Sequence, residues 1–230
     1  MEPSPYLQLH TLCCFDASGR VLCTNEPDGD HGPAFVIVRG HREVAWAVHA
    51  DVPTEVAEEL DTLAATEPPL GDPRAEPVHA PRYQALLGST ALYFGPGYHF
   101  GRAVLAEPTD DIHLITDEQL LKTYFPGWRV GEIDAGRAPV LAVVDGQVPV
   151  SIAFSARSGE YAAEAGVDTA EPYRGRGFAP RVVSAWARAV CHRGRIPLYS
   201  TSWDNESSRA VARKLGLTLY AVEWALSPRT

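Results

Sequence analysis

Hydrophobic and polar residues alternate between residues 162 and 169, and the pattern changes to helical spacing between residues 180 and 193. A period of two predicts a β-strand in the first segment, and a period of about 3.6 predicts an amphipathic helix in the second. Between them lies the run Tyr173-Arg174-Gly175-Arg176-Gly177-Phe178-Ala179, which we call the glycine turn. The sequence therefore predicts a strand, a turn and a helix in direct succession.

Shorter periodic segments extend this organisation along the whole chain. In the first half the pattern predicts strands over 9–15, 21–24, 34–38 and 44–48, and helices that begin near Pro53 and Tyr83. In the second half it predicts a helix over 117–124, strands over 140–144, 148–154 and 197–202, and a helix that opens at Asn205.

Length and charge suggest how these elements are divided. The chain has 230 residues, enough for one large domain or two small ones, and its net charge of −9 falls entirely within residues 1–107. We predict an acidic α+β domain over 1–107 that shapes a substrate site, and a second domain over 108–230. An acidic surface repels nucleic acid and favours a cationic amine as a partner.

The chain carries no targeting or membrane signal: no segment has the roughly twenty apolar residues of a membrane span, and residues 1–5 do not resemble a signal peptide. We therefore expect a cytoplasmic protein without membrane contact. The cysteines (Cys13, Cys14, Cys23 and Cys191) form no C-x-x-C pair, so free thiols are expected instead of a zinc site or disulfides. The histidines of the first half also lack ligand spacing, and no metal is predicted.

The glycine turn has the composition of a phosphate-binding loop. Glycines let the backbone approach a bulky anion, and a helix that starts just after them directs N–H groups and its positive dipole end to the same place. A dinucleotide fingerprint is excluded, because Pro180 stands at its third glycine position and no acidic residue follows until Asp204. A P-loop is excluded because no Gly-Lys-Ser/Thr triplet follows. The alternative to a phosphate-binding loop is that the glycine turn only reverses the direction of the chain.

The same residues resemble the GNAT superfamily of acyl-CoA-dependent N-acyltransferases, whose signature Q/R-x-x-G-x-G/A lies between a strand and a helix. Arg174, Gly177 and Ala179 occupy its three fixed positions, and the block from Trp203 to Gly216 resembles a second family motif. The resemblance covers about 138–226. It implies an α+β (α/β) fold with a GNAT-like, mixed and mostly antiparallel sheet flanked by helices, beside the additional small α+β domain.

The resemblance implies an acetyl-CoA site without a metal. Backbone N–H groups of the glycine turn would bind the pyrophosphate, the strand end before it would pair with pantetheine, and Asn205 would bond the ligand as well as cap its helix. The cofactor-binding residues so implied are Val167, Asp168, Thr169, Arg174, Gly175, Arg176, Gly177, Phe178, Ala179, Pro180, Asn205 and Ser208. The expected partners are acetyl-CoA and an amine acceptor, and a homodimer is allowed.

The resemblance defines the catalytic side chains less well. Many family members have a tyrosine as general acid seven residues after the asparagine, where this chain has Ala212. Tyr220 is assigned this role, with Tyr199 left open. Glu164 is assigned as the general base, although the family glutamate falls at Ala163 by direct counting, so a β-bulge would be needed to shift the register. A water chain is the other candidate for the base.

Three functions follow for testing. The leading prediction is an N-acetyltransferase that moves the acetyl group of acetyl-CoA to a primary amine of a small molecule or protein. The alternative is a catalytically weak acyl-CoA-binding regulatory or sensor module, which the departure at Ala212 supports. The third is a structural role, in which the glycine turn only reverses the chain.

Overall fold

The computed structural model describes residues 2–29, 31–89, 92–101 and 109–227. Within these ranges the helices are α1 (Pro5–Leu12), α2 (Thr54–Ala64), α3 (Ala80–Leu87), α4 (Glu118–Tyr124), α5 (Phe178–His192) and α6 (Glu206–Lys214). The strands are β1 (Cys13–Phe15), β2 (Val21–Thr24), β3 (Phe35–Gly40), β4 (Val44–Val48), β5 (Leu92–His99), β6 (Ile112–Leu114), β7 (Leu141–Asp145), β8 (Val148–Ser158), β9 (Ala162–Thr169), β10 (Ile196–Ser200) and β11 (Thr218–Leu226). None of these helices is long and apolar enough to cross a bilayer.

The described chain divides into two compact units, and neither is continuous in sequence. The first unit consists of Met1–Tyr98, Ser200–Asn205 and Leu219–Thr230, and the second of His99–Tyr199 and Glu206–Thr218. The sequence predicted contiguous domains that meet between residues 107 and 108, which lie outside the described residues. The structure differs because β11, late in the chain, pairs with β3 in the first unit.

In the first unit, β3 lies between β4 and β11 and pairs antiparallel with both, while β5 neighbours β11. Alternate residues of these strands face α2 and α3, and together they form a core of large side chains. The core includes Phe35, Ile37, Leu60, Tyr83, Trp224 and Leu226. Because each such side chain contributes about 1.5–3 kcal/mol on burial, this core accounts for the position of both helices.

A buried carboxylate, that of Glu67, organises the loop between α2 and α3. It accepts hydrogen bonds from the backbone N–H groups of Val78, at 2.9 Å, and His79, at 2.8 Å, and from the Tyr83 hydroxyl at 3.1 Å. Burial, followed by the nearby Glu67 charge, raises the pKa of Tyr83. The segment between α2 and α3 is thus fixed by a buried polar network.

One element predicted near the start of the chain is wrong. The sequence predicted a strand over 9–15, whereas residues Pro5–Leu12 form α1 and only Cys13–Phe15 are extended. The Ser4 hydroxyl accepts the Leu7 N–H at 3.2 Å and so caps this helix. The cap and the following proline are local start signals that outweigh the short apolar run.

The cysteine prediction also needs correction. Cys14 and Cys23 are opposite each other on the antiparallel β1–β2 pair and form a disulfide, with Cα atoms 5.4 Å apart. Cys13 and Cys191 are free thiols, as expected. The sequence did not reveal the pair because the two cysteines become neighbours only when the hairpin register is set.

The strands of the second unit are covered by a helix on each face. These strands have the order β10-β9-β8-β7-β6, and every neighbouring pair is antiparallel except β9 and β10. On one face, the Trp186 indole of α5 donates to the Ser155 hydroxyl of β8 at 3.3 Å. On the other, Leu121 of α4 packs in a cluster with Ile152 of β8. The strand predicted over 162–169 is confirmed, and α5 begins at Phe178, slightly earlier than predicted.

Candidate functional site

The parallel strands β9 and β10 separate part-way along their length. They pair at three positions, the last of which joins Leu198 to Glu164. Beyond this point β9 continues through residues 165–169, where its partner within the second unit is β8. We call this separation the splay. It leaves backbone N–H and C=O groups of β9 facing away from β8, and such an edge can bind an extended, amide-containing ligand.

The glycine turn follows β9 and leads directly into α5. Gly175 and Gly177 have φ angles of 75° and 83°, in the left-handed region that favours glycine. Gly177 is the N-cap residue of α5, and no side chain caps this helix. The first N–H groups of α5, at Phe178 and Ala179, therefore lack an intrahelical acceptor, and the positive end of the helix dipole lies beside them. This geometry is suited to an anion.

Two arginines of the turn add positive charge. The Arg174 Nε donates to the carbonyl oxygen of Thr169 at 3.0 Å, so its side chain connects the turn to the end of β9. The Arg176 guanidinium lies over the rings of Tyr173 and Phe178, 5.2 Å and 5.1 Å from their centroids. Within the described parts of the chain, neither arginine is paired with a carboxylate. Their charge is available to a bound anion.

A third arginine, Arg181 near the start of α5, is already neutralised. The Arg181 guanidinium contacts both carboxylate oxygens of Asp111, at 2.5 Å and 2.7 Å. The hydrogen bond from Thr109, followed by those from Arg181, lowers the pKa of Asp111. Arg181 thus connects the start of α5 to the segment before β6.

The predicted pantetheine-binding residues lie on β9 beyond the splay. Val167 is opposite Ala153 of β8, and Asp168 is exposed. The Ser151 hydroxyl of β8 contacts the Thr169 hydroxyl at 2.8 Å and also bonds the carbonyl oxygen of Asp168, at 3.2 Å. These contacts hold the strand from its β8 side.

The two polar residues predicted near α6 have different surroundings. Asn205 ends a segment of the first unit, and its backbone N–H donates to the carbonyl oxygen of Ser202 at 3.2 Å. Ser208 lies in α6, and its hydroxyl is 2.8 Å from the hydroxyl of Tyr199. The contribution of either residue to ligand binding stays a prediction.

Tyr220, the tyrosine assigned as general acid, is buried in the first unit. Its hydroxyl donates to the side-chain oxygen of Gln8 in α1. Tyr199 lies in the second unit instead, one residue after the last β9–β10 pair. Tyr199 therefore belongs to the same unit as the splay and lies next to it along β10, whereas Tyr220 belongs to the other unit.

Glu164, the assigned base, lies at the apex of the splay. Its side chain is 3% exposed, and Oε1 accepts a hydrogen bond from the Arg157 guanidinium at 2.7 Å. The expected β-bulge occurs on β8, where the register shifts between Ser155 and Arg157, and β9 is regular. Because β9 itself has no bulge, Glu164 and Gly166 lie on the same face of this strand.

An aromatic and ionic cluster that the sequence did not reveal occupies that face. A Cβ atom on Gly166 would lie 2.5 Å from the Phe154 ring, so Phe154 covers this glycine closely. The Trp128 ring packs edge-on against Phe154, and the Arg137 guanidinium lies 4.7 Å from the Phe154 centroid. Arg137 also pairs with the buried Glu132 carboxylate at 3.0 Å. The glycine at position 166 was the one sequence signal of this close approach.

Comparisons with known proteins agree with this geometry. Residues 138–222 match the family model described as GNAT acetyltransferase. The resemblance stated for the C-terminal half is thereby confirmed, and the described splay and glycine turn both lie within the matched residues.

Solved structures support the fold. One is an acetyltransferase from Colwellia psychrerythraea that is assigned to the GNAT family. It has a TM-score of 0.50 and 15% identity, over 94% of this chain and 80% of that one. A GNAT-family protein from Novosphingobium aromaticivorans DSM 12444 has a TM-score of 0.50 and 20% identity, over 62% of this chain and 67% of that one. At these identities the similarity concerns the fold alone, and it confirms the predicted fold class. No curated protein matches the sequence.

Proposed function

We propose that this protein is an acetyl-CoA-dependent N-acetyltransferase that acts on a primary amine of a small molecule or protein. The observation that carries the proposal is the splay between β9 and β10 followed directly by an uncapped helix start at Gly177. The edge of β9 would pair with the amide groups of pantetheine, and the N–H groups of the turn would bind the pyrophosphate. Arg174 and Arg176 would supply the matching charge.

We place the proposed reaction at the splay. The amine nitrogen attacks the thioester carbonyl carbon and forms a C–N bond, and a backbone N–H near Val167 stabilises the oxygen as it gains charge. The intermediate then loses the C–S bond, and the thiolate leaves. Two protons must move: one leaves the amine nitrogen, and one is given to the thiolate.

Glu164 is our candidate for the proton acceptor. It lies at the apex of the splay, and its pairing with Arg157 fixes the carboxylate in one orientation. Arg157 would act as a positioning residue. The acceptor amine would approach from the face that carries Phe154 and Arg137, because α5 covers the opposite face of the strands.

Tyr199 is our candidate for the proton donor. Its hydroxyl reaches Ser208 on α6, and Ala212 lies one helical turn further along the same helix face. The family tyrosine would stand at position 212, so Tyr199 brings a phenol to the same side of α6 from a neighbouring strand. Tyr220 remains the alternative donor, to be tested in parallel.

A second function rests on one specific observation. Ala212 replaces the usual acid, and a domain that binds acyl-CoA without efficient turnover would serve as a regulatory or sensor module. The two functions share the binding site and differ only in the chemistry that follows.

Two measurements separate these functions. Calorimetric titration with acetyl-CoA measures binding, and loss of thioester absorbance with a panel of primary amines measures transfer. Saturable binding with amine-dependent thioester loss supports the enzyme. Binding without transfer to any amine supports the sensor, and absence of binding contradicts both and leaves a structural role.

A further inference from the structure

Three potential metal ligands meet in the first unit, and none of them is a residue assigned above. The side chains of His31, His49 and Asp51 have ligand atoms that all lie within 4.8 Å of one another. His31 and Asp51 are exposed, and His49 is buried. The sequence did not reveal this group, because His31 lies in a different segment of the chain from His49 and Asp51.

The backbone holds His49 in a fixed position. It forms a parallel bridge with Val21, and its N–H donates to the carbonyl oxygen of Ala34 at 2.9 Å. The imidazole is oriented as well, since Nε2 lies 3.3 Å from the carbonyl oxygen of Leu22. A carbonyl can only accept, so Nε2 carries the proton and Nδ1 has a lone pair.

This second contact is typical of a metal-binding histidine. Histidine ligands usually donate their other ring N–H to a carbonyl or carboxylate, which fixes the tautomer and the direction of the lone pair. The Nδ1 lone pair of His49 accepts the Asp51 backbone N–H at 3.1 Å, and the Asp51 carboxylate lies 3.6 Å from the same nitrogen. A bound cation would replace the N–H as the partner of Nδ1.

The spacing suits a transition metal. In a tetrahedral zinc site with bonds of about 2.0–2.1 Å, neighbouring ligand atoms are about 3.3 Å apart. The nitrogen–carboxylate distance of 3.6 Å is already near this value. The other separations within the group are at most 4.8 Å, so they need to shorten by at most about 1.5 Å to complete the set, and the exposed His31 ring can supply this movement.

We propose that His31, His49 and Asp51 form a divalent transition-metal site, with Zn²⁺ as the best-suited ion and a coordination position open to water. Two imidazoles and one carboxylate are ligands that Zn²⁺ accepts. The acidic first half of the chain, which carries the whole net charge of −9, attracts a divalent cation.

The test is a calorimetric titration of tag-free protein with Zn²⁺. Wild-type protein is expected to bind one equivalent saturably, and the surface variants His31→Ala and Asp51→Asn are each expected to weaken binding by roughly tenfold or more. His41→Ala is the matched control, because His41 is also exposed but contacts Glu2 instead, at 4.0 Å. Circular dichroism checks that the variants are folded.

Two outcomes would overturn the site. One is absence of saturable binding to the wild-type protein. The other is unchanged affinity in both His31→Ala and Asp51→Asn, including the case in which alkylation of Cys13 or Cys191 abolishes binding and so assigns the ion to a thiol. Because the readout is metal binding, neither outcome depends on acetyltransferase activity.

Discussion

The hydroxyl groups of Tyr199 and Ser208 lie 2.8 Å apart, which connects the end of β10 to the first turn of α6. Tyr199 follows the last paired residue of its strand at the splay, and it is 1% exposed. A phenol held in this way has a defined direction and little contact with bulk water. It therefore has the fixed position that a proton donor needs.

Replacement of this phenol should impair the chemical step. We expect Tyr199→Phe to lower kcat roughly 100-fold while acetyl-CoA affinity changes little, because a general acid contributes about 10²–10⁴-fold. Calorimetry and steady-state kinetics measure the two effects separately. Tyr220→Phe is the matched variant, since it also removes one buried hydroxyl. A larger loss of kcat in Tyr220→Phe would return the acid role to Tyr220.

The glycine turn can be tested with a pair of glycines at opposite ends of α5. Gly177 and Gly194 both have positive φ, at 83° and 76°, and a Cβ atom at either would meet nothing within 4 Å. Alanine at each position should therefore cost a similar amount of folding free energy, about 1–2 kcal/mol. We expect only Gly177→Ala to weaken acetyl-CoA binding, measured by calorimetry. Equal affinities in the two variants would argue against an anion site at the turn.

The ion pair at the splay gives a prediction for the rate of transfer. We expect Glu164→Gln to lower kcat roughly 100-fold with little change in acetyl-CoA affinity, because a general base contributes about 10²–10⁴-fold. Arg157→Gln keeps the carboxylate but removes the guanidinium that orients it, so kcat should fall less than in Glu164→Gln. Steady-state kinetics and calorimetry measure the two effects separately. An unchanged kcat in Glu164→Gln would assign the base elsewhere, for example to a water chain.

The buried tyrosine of the first unit predicts a loss of stability at high pH. Burial and the neighbouring Glu67 raise the pKa of Tyr83 above its ordinary value of 10.0. Above pH 10 the unfolded chain loses this proton while the folded protein keeps it, so the free energy of unfolding falls as pH rises. The contribution of one proton is about 1.4 kcal/mol per pH unit.

Denaturant unfolding of wild-type protein and Tyr83→Phe between pH 9 and 11 measures this effect. The variant lacks the ionisable group but keeps the ring that packs against Phe35 and Trp224. Its free energy of unfolding should therefore decline less steeply with pH. Parallel curves for the two proteins would show that Tyr83 does not control alkaline stability.

Local patterns predicted the elements around the site well. The alternation over 162–169 marked β9, and Gly175 and Gly177 marked the turn, because period and positive φ are recorded in the residues themselves. The pairing of β11 with β3 could not be predicted in this way, since it joins distant segments.

The same limit explains what was missed at the site. The salt bridge between Arg157 and Glu164 depends on a bulge in β8, and the contact of Phe154 with Gly166 depends on strand register. Neither leaves a pattern in a single stretch of sequence, because register is set by the pairing of separate strands. The choice between Tyr199 and Tyr220 as general acid could not be made from the sequence for the same reason. The two residues differ in the neighbours of their hydroxyl groups, which only the folded chain shows.

The position of β11 between β3 and β5 also bears on how the protein is made. Synthesis runs from the N-terminus at about 5–20 residues per second, so β3 leaves the ribosome well before its partner exists. The first unit can close its sheet only after residues 218–226 have been translated. Until then, one edge of β3 has no partner strand, so the sheet of the first unit is completed only after the strands of the second unit have been translated.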